Sequence, residues 1–450
     1  MSPMLASSAR PKHHRCVLVL AGLAILLPPA CQAQAPSEPV IEWGFEQRVR
    51  NENWDNILDF NDGMPDLRNQ IRYRTRLWMN LPVTKDIDFY AGLNQETNQI
   101  IRARAPYRLD EIVFENLYID FKKLFVKGLS LRVGRQNLIR GEGFLLLEGN
   151  PYDGSRSIYF NAADLAYSWK KSKLELIAIS NPSRDHYLPK IHDVSKPLIE
   201  WNEQALGYYY TNKNSARTSL ESYYFYKKET GDSRAPSNPQ FQPDRHIHTA
   251  GGRIVHALNK QWSLTGELAL QWGRQHPDTA IRGWGGYGYA KRQSTARTKP
   301  YVQVGWWGFS GDDPHTTNRV EGWDPLFSRW PKWSELYIYS QFREKGVAYW
   351  TNTGMWQGEV GFSPNKRLGA RATYYHMDSF QPFSGDRNIF GTGTRRGEMY
   401  QGRVDLQANK HWSGHVLWEH LLPGDFYSAK TPGYFLRFEV IYLLRGVVPL

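Results

Sequence analysis

Apolar and polar residues alternate with a period of two along much of this chain. In 71–81 the apolar and aromatic side chains of one face alternate with a second face that carries Arg72, Arg74, Arg76, Trp78 and Asn80. The segments 261–272, 400–407 and 436–442 follow the same pattern. Successive side chains of a β-strand point to opposite faces, so this periodicity predicts strands with one apolar and one polar face.

The connections between these strands alternate in length. Eight short polar connections are predicted, near 83–86, 124–128, 170–172, 213–216, 259–260, 293–298, 363–366 and 408–411. Nine longer ones are predicted at 51–68, 99–111, 139–157, 182–203, 229–245, 274–281, 310–351, 379–396 and 421–432. This succession predicts about eighteen strands with both chain ends on the short-turn side. Short periplasmic turns and long extracellular loops are typical of an antiparallel transmembrane β-barrel, and this strand number predicts an aqueous lumen.

The longest predicted loop, 310–351, includes a stretch at 334–350 that looks partly strand-like. A strand there would break the alternation of short and long connections, so the stretch is assigned to the loop. Five large apolar side chains make the loop too apolar for a solvated tip: Trp323, Leu326, Phe327, Trp330 and Trp333. We therefore expect it to fold over or into the mouth of the barrel.

Composition supports a membrane barrel over a soluble protein. Aromatic residues make up 14% of the chain, although the mean hydropathy is −0.59 and 22% of residues are charged. Only every second residue of a barrel strand meets lipid, and aromatic residues gather at both membrane interfaces. After residue 33 no apolar run approaches the length of a transmembrane helix.

The first 33 residues are predicted to be a secretory signal peptide, and 34–450 a single barrel domain. A basic start is followed by an apolar run, 16–27, and then by small residues. A lipoprotein site at Cys31 is the rival interpretation, although the preceding residues fit its motif poorly. Both cysteines, Cys16 and Cys31, would leave with the signal, so no disulfide, thiolate metal site or cysteine nucleophile is expected.

The net charge of +12 is not gathered into an extended basic run, which argues against nucleic-acid binding. Basic side chains on inward faces are instead predicted to line the substrate path: Arg72, Arg74, Arg76, Arg132, Arg371 and Arg403. Such charges can make a pore anion-selective, or they can simply pair across strands; both interpretations stay open. Trp78 and Tyr118 are candidates for stacking on sugar rings, with a rim position turned toward the interface as the alternative for Trp78.

Other motifs carry little chemistry. Gly283, Gly285 and Gly288 match a dinucleotide-binding spacing, but no βαβ unit surrounds them. His246 and His248 share a strand face without a third metal ligand nearby. We expect no catalytic residues, no metal site and no cofactor, and hence no enzyme.

Several segments, taken in order, resemble the alginate-export family of outer-membrane barrels. They are ENLYIDF at 115–121, SLRVGRQNL at 130–138, YDG at 152–154 with Arg156, QALGYYYT at 204–211, FSGDD at 309–313 and WDPLF at 323–327. The resemblance implies an eighteen-stranded barrel with an arginine-rich lumen that passes polyuronate, and adds Arg135 and Arg156 to its basic residues. Two features differ from the alginate exporter: the turn at 408–411 is short, and the chain ends in RGVVPL rather than Phe.

Together these observations predict an anion-selective pore in the outer membrane of a Gram-negative bacterium. It would pass an acidic, alginate-like polysaccharide or its oligosaccharides, in the export direction, with outer-membrane lipid and periplasmic export proteins as partners. An uptake porin for small anionic nutrients is the first alternative. A non-transporting barrel, acting as an enzyme or a structural anchor, is the second.

Overall fold

In the computed structural model the chain forms one closed sheet of antiparallel strands. The structure describes residues 39–450 apart from 64–65, 103–104, 106–108, 148–159, 196–198, 200, 214, 232–243 and 330–331. The predicted signal peptide lies outside the described residues. The strands are β1 (Val40–Asp55), β2 (Arg68–Thr84), β3 (Ile87–Arg102), β4 (Ile112–Phe121), β5 (Leu129–Gln136), β6 (Phe160–Trp169), β7 (Ser172–Asn181), β8 (Lys190–Ile191), β9 (Trp201–Asn212), β10 (Thr218–Gly231), β11 (Arg245–Ala257), β12 (Trp262–Gln275), β13 (Thr279–Gln293), β14 (Tyr301–Phe309), β15 (Arg319–Val320), β16 (Thr353–Asn365), β17 (Leu368–Asp378), β18 (Arg395–Gln407), β19 (Trp412–Pro423) and β20 (Gly433–Pro449).

Eighteen of these strands form the barrel wall, which confirms the predicted architecture. Each pairs with the next in chain order, and β20 pairs with β1 from Pro449 opposite Val40 to Tyr434 opposite Asp55. Both ends of the barrel therefore lie on the short-turn side, as predicted. β8 and β15 have two residues each and lie within long connections.

One predicted long loop is wrong. The connection between β12 and β13 is only 276–278, because both strands continue through residues that had been assigned to the loop 274–281. Arg274 and Arg282 are charged and lie exposed on the outer face of these strands, beyond the apolar band on the long-loop side. These polar residues mark the boundary of the hydrocarbon region of the membrane, and the strands continue beyond it.

The outer face carries an apolar band between two groups of exposed aromatic side chains. Trp272, Trp356 and Trp418 lie toward the long-loop end, and Trp169, Trp262 and Trp412 toward the short-turn end. Exposed aliphatic residues such as Leu268 and Val360 lie between them. This arrangement is that of a transmembrane barrel with aromatic girdles. Within the described residues, no helix has the length and apolar character needed to cross a membrane.

The long connection between β14 and β16, 310–352, folds back inside the barrel, as predicted for the loop 310–351. Its only helical turns among the described residues are α1 (Tyr337–Ser340) and a 3-10 turn (Gln341–Arg343), so the segment 334–350 contains no strand there. The apolar residues of the loop are buried: Trp323, Leu326, Phe327, Trp333, Leu336, Tyr337 and Trp350. Trp330 lies outside the described residues.

The connection that contains β8 packs on the outside of the barrel. β5 is short and ends at Gln136, so β4 extends beyond it, and β8 pairs with Ile112 and Val113 in that extension. The carboxylate of Asp185, in the same connection, accepts two hydrogen bonds from the Arg135 guanidinium, at 2.6 and 2.8 Å. This segment therefore covers the wall where β5 ends.

The inward position of the loop 310–352 predicts a contrast in labelling on intact cells. Ser340 is 2% exposed, whereas Asn388 lies exposed in the loop between β17 and β18. With Cys16 and Cys31 replaced by Ser, Asn388→Cys should react with a membrane-impermeant maleimide, and Ser340→Cys should not. Both should react after denaturation; equal rates on intact cells would contradict the inward fold.

Candidate functional site: the lumen of the barrel

An ion-pair network covers the inner wall formed by β1, β2, β3 and β20. Arg74 contacts Glu46 at 2.6 Å, and Arg72 contacts Glu96 at 2.7 Å. Arg76 pairs with Glu115. The other arginines of the network are Arg48, Arg50 and Arg437, and the other acids are Glu52, Glu335 and Glu439. Strand alternation explains the cluster, because charges spaced two apart on neighbouring strands all project inward.

This network is balanced in charge. Six arginines meet six glutamates, and the arginines are at most 8% exposed. The sequence shows no acid among Arg72, Arg74 and Arg76, but the acids come from β1, β3 and β4. One of the six acids, Glu335, comes from the loop 310–352, so the wall and the loop together leave no excess of positive charge in this network. Whether these arginines also guide a substrate stays a prediction.

The loop 310–352 is held to one wall of the barrel through Asp324. This carboxylate contacts Arg245 of β11 at 2.6 Å, and its backbone exchanges hydrogen bonds with the side chain of Gln271 on β12. Lys227 of β10 donates to the carbonyl of Leu326 at 2.9 Å. Burial opposes ionisation, but Arg245 and Lys227 outweigh it and lower the pKa of Asp324 to about 2.

The same loop reaches the opposite wall. Glu419 of β19 accepts hydrogen bonds from the backbone of Leu336, at 2.6 Å, and from the hydroxyl of Ser334, at 2.9 Å. Glu335 pairs with Arg437 of β20 at 2.7 Å. Because the loop is fixed to β10–β12 on one side and to β19 and β20 on the other, it crosses the lumen.

A second inward segment, 137–147, supports the crossing loop. Phe144 stacks on Trp323 with ring centres 5.2 Å apart. Glu142 contacts Arg253 of the wall at 3.1 Å and Lys332 of the loop 310–352 at 3.5 Å. Burial opposes ionisation, but Lys332 and Arg253 lower the pKa of Glu142 to about 2. The constriction thus consists of two loops joined by charge and by aromatic contact.

Three other predicted basic residues face the lumen nearer the short-turn end and are only partly buried. The side chain of Arg132 is 34% exposed and contacts Asp120 at 2.5 Å. Arg403 is 21% exposed in its side chain and contacts Asp405 at 2.7 Å. Arg371 lies directly opposite Arg403 in the register of β17 and β18. These guanidinium groups remain within reach of a solute in the lumen.

Arg135 differs from the prediction. It lies opposite Leu117 on the outward side of β4 and β5, in line with exposed Val133, and is covered by the segment that carries Asp185. It therefore does not line the lumen. The alternating residues of β5 predict a strand, but no local pattern predicts that the connection carrying Asp185 folds over it. Arg156 lies outside the described residues.

Trp78 and Tyr118 both face inward, yet both rings already pack against other residues of the wall. Trp78 is 7% exposed and packs so closely on Gly44 that a Cβ atom there would lie 2.1 Å from the ring. Tyr118 stacks in parallel on Tyr90, with ring centres 5.0 Å apart, and the Arg132 guanidinium lies 4.6 Å from its ring centre. Sugar stacking at either residue stays a prediction.

The residues that fix the constriction were missed from the sequence. Lys227, Glu142 and Glu419 carry no motif, and their partners lie up to 190 residues away along the chain. Strand parity could have placed Lys227 and Glu419 inside the barrel. It could not have shown which loop meets them. Among the described residues, no group of three or more His, Cys, Asp or Glu side chains is placed to hold a metal ion.

Comparison with known proteins now assigns the family. The family model described as "Alginate export" matches residues 68–439. The chain belongs to the alginate-export family. A search of curated proteins found no matching sequence.

Solved structures with the same fold include outer-membrane proteins of Pseudomonas aeruginosa. OccK1 (OpdK) superposes with a TM-score of 0.55 at 12% identity, covering 90% of this chain and 99% of that one. OccK5 (OpdH) gives 0.54 at 11% identity, covering 90% and 98%. OpdK was also solved with vanillate, and that structure gives 0.53 at 12% identity, covering 90% and 99%. At such identities the likeness shows the fold alone. The barrel belongs to the outer membrane of a Gram-negative bacterium, and its family and fold are those of transport barrels.

The wall network predicts a measurable coupling between Arg74 and Glu46. Arg74→Gln leaves the buried Glu46 carboxylate without this partner, which should lower the free energy of unfolding by about 3–5 kcal/mol. Arg74→Gln combined with Glu46→Gln removes both charges and should recover most of the loss. Urea unfolding in lipid vesicles measures both. A double variant no more stable than the single one would contradict the pairing.

The anchoring of the loop 310–352 should depend on acid. A carboxylate with a depressed pKa stabilises the folded state fully above its unfolded pKa of about 4. That contribution is lost as the pH falls toward about 2, the pKa of Asp324 and Glu142. Channel current in planar bilayers should therefore become larger and noisier between pH 4 and 2.

Asp324→Asn should produce the same behaviour at neutral pH, because the neutral amide cannot pair with Arg245. Asp313→Asn is the control, since Asp313 lies in the same loop and bonds to His315. A quiet Asp324→Asn channel with wild-type conductance would show that the loop is held by other contacts.

Proposed function

We propose that this protein is a passive pore for acidic polysaccharides or the oligosaccharides derived from them, with carboxylated sugars as the recognised units. The observation that carries the proposal is the group of inward, partly exposed arginines, Arg132, Arg371 and Arg403. A guanidinium group binds a carboxylate through a planar pair of hydrogen bonds. Membership of the alginate-export family supports a polyuronate as the substrate and export as the direction.

Recognition would combine charge with an aromatic surface. Arg132 lies against Tyr118, which in turn stacks on Tyr90. Sugar rings present apolar faces as well as carboxylates, so a solute could contact the cation and the edges of the rings together. No catalytic role is proposed; the pore would act by selection and not by chemistry.

A second candidate function is the uptake of small anions, and the loop 310–352 favours it. A loop attached to both walls narrows the lumen, and a narrow channel suits short solutes better than a long polymer. The two functions share anion selectivity and differ in the length of the molecule that passes.

Bilayer recordings distinguish these functions. The reconstituted pore should prefer chloride over potassium, and the preference should shrink in molar salt, where the Debye length falls to about 3 Å. Oligouronates should block the current. Arg132→Gln should weaken this block by about tenfold, because a charge-assisted hydrogen bond contributes about 1.5–3 kcal/mol.

Arg292→Gln is the matched control, since Arg292 is an exposed, outward-facing arginine at the same end of the barrel. A cation-preferring pore would contradict both functions. Block by small dicarboxylates without any block by oligouronates would favour nutrient uptake. A barrel that conducts no current would favour a non-transporting role.

A further inference from the structure

The outer face of β10–β13 changes from apolar to basic at the long-loop end. Strand register arranges the outward residues of these strands in rows. Tyr224, Ala250, Leu270 and Trp284 form one row. The next row toward the rim consists of Tyr226, His248, Trp272 and Arg282, and the last of Lys228, His246, Arg274 and Ala280. We call Lys228, His246, Arg274 and Arg282 the basic rim patch.

The basic rim patch lies directly above an amphipathic aromatic surface. His248 stacks in parallel on Trp272, with ring centres 5.5 Å apart, and its Nδ1 lies 2.7 Å from the hydroxyl of Tyr224. Trp272 is 44% exposed, while Leu270 and Leu268 below it are 55% and 56% exposed. The patch therefore lies where the apolar band meets the polar headgroups of the outer leaflet.

The basic charges of the patch are only partly neutralised within the described residues. Arg274, 66% exposed in its side chain, pairs with Asp278 of the adjoining turn. Lys228 and Arg282 are exposed, and neither forms an ion pair with another described residue. Arg319 of β15, beside Ala280, adds a further cation that pairs with Glu321 at 2.7 Å. Exposed Asp244 also lies beside the turn 276–278, but it forms no ion pair with Lys228 or Arg282, so these two cations remain available to an anion.

Another sector of the rim is built from similar residues but supplies its own acid. On β17 and β18, Glu398 contacts His376 at 2.7 Å and Arg395 at 2.5 Å, and accepts a hydrogen bond from Tyr374. The cations of that sector are thus paired, whereas Lys228 and Arg282 lie beside a large exposed aromatic surface without an acidic partner among the described residues.

We propose that the basic rim patch binds the phosphate groups of a phosphorylated glycolipid in the outer leaflet. The phosphates would meet Lys228, Arg274 and Arg282, since arginine binds phosphate through paired hydrogen bonds. The sugar would rest against Trp272, and the acyl chains would lie along Leu268 and Leu270. Inorganic phosphate has no apolar part that could pack on the surface below the patch, whereas a lipid has acyl chains, so the geometry favours a lipid. This site is separate from the lumen and does not depend on the transported solute.

Binding to the full-length barrel in detergent tests the proposal, with a bisphosphorylated glycolipid, its dephosphorylated form and inorganic phosphate as probes. We expect the phosphorylated glycolipid to bind at least about tenfold more tightly than the dephosphorylated form, because each basic residue near a lipid phosphate strengthens binding. The double variant Lys228→Gln with Arg282→Gln should lose that advantage. Inorganic phosphate at equal concentration should not displace the lipid.

Arg395→Gln is the matched control, because its guanidinium is already paired with Glu398, and it should bind the glycolipid as the wild type does. All these side chains point outward, so the variants should fold; heat-modifiable mobility on a gel checks this. Equal binding of both glycolipid forms would overturn the proposal. So would an equal loss in Arg395→Gln, or displacement by inorganic phosphate, which would indicate a simple anion site.

Discussion

The structure depends on one constraint: within a bilayer, every backbone N–H and C=O group must find a partner in the protein. The hydrogen bonds between β20 and β1, which extend from Val40 to Asp55, meet this requirement by leaving the sheet without an edge. Once the sheet is closed, alternate side chains must face lipid or lumen. The apolar band, the aromatic girdles and the inward charges all follow from that separation.

The inward charges then meet a second requirement, since a buried charge is costly unless it is paired. The two halves of the lumen satisfy it in different ways. On β1, β2 and β20, arginines and glutamates from neighbouring strands pair with one another in the wall. On β10–β12, wall cations such as Arg245 are paired in part by Asp324 of the crossing loop. The constriction is therefore part of the charge balance of the interior and not a separate attachment.

This arrangement has a consequence for transport. A loop that supplies counter-ions to both walls cannot leave the lumen without breaking an ion pair at each attachment, Asp324 with Arg245 on one side and Glu335 with Arg437 on the other. The partly exposed cations nearer the short-turn end, Arg132 and Arg403, pair with acids of the wall and not with the loop. Selectivity is best sought there, where a solute can still reach the guanidinium groups. The outer rim adds an asymmetry of its own, because Lys228 and Arg282 have no acidic partner among the described residues whereas Arg395 is paired with Glu398.

The sequence by itself determined the barrel, its strand number, the side on which both ends lie and the inward fold of the longest loop. These follow from period-two alternation, from the lengths of connections and from apolar residues such as Trp323 in an otherwise polar stretch, all of which are local properties. It misjudged the connection at 274–281, because polarity at the rim marks the membrane boundary as well as a turn. It also placed Arg135 in the lumen. Only the tertiary structure showed that Arg74 meets Glu46 and that Glu419 holds the loop, because partners across a closed sheet are set by register and by loop paths, which no local pattern records.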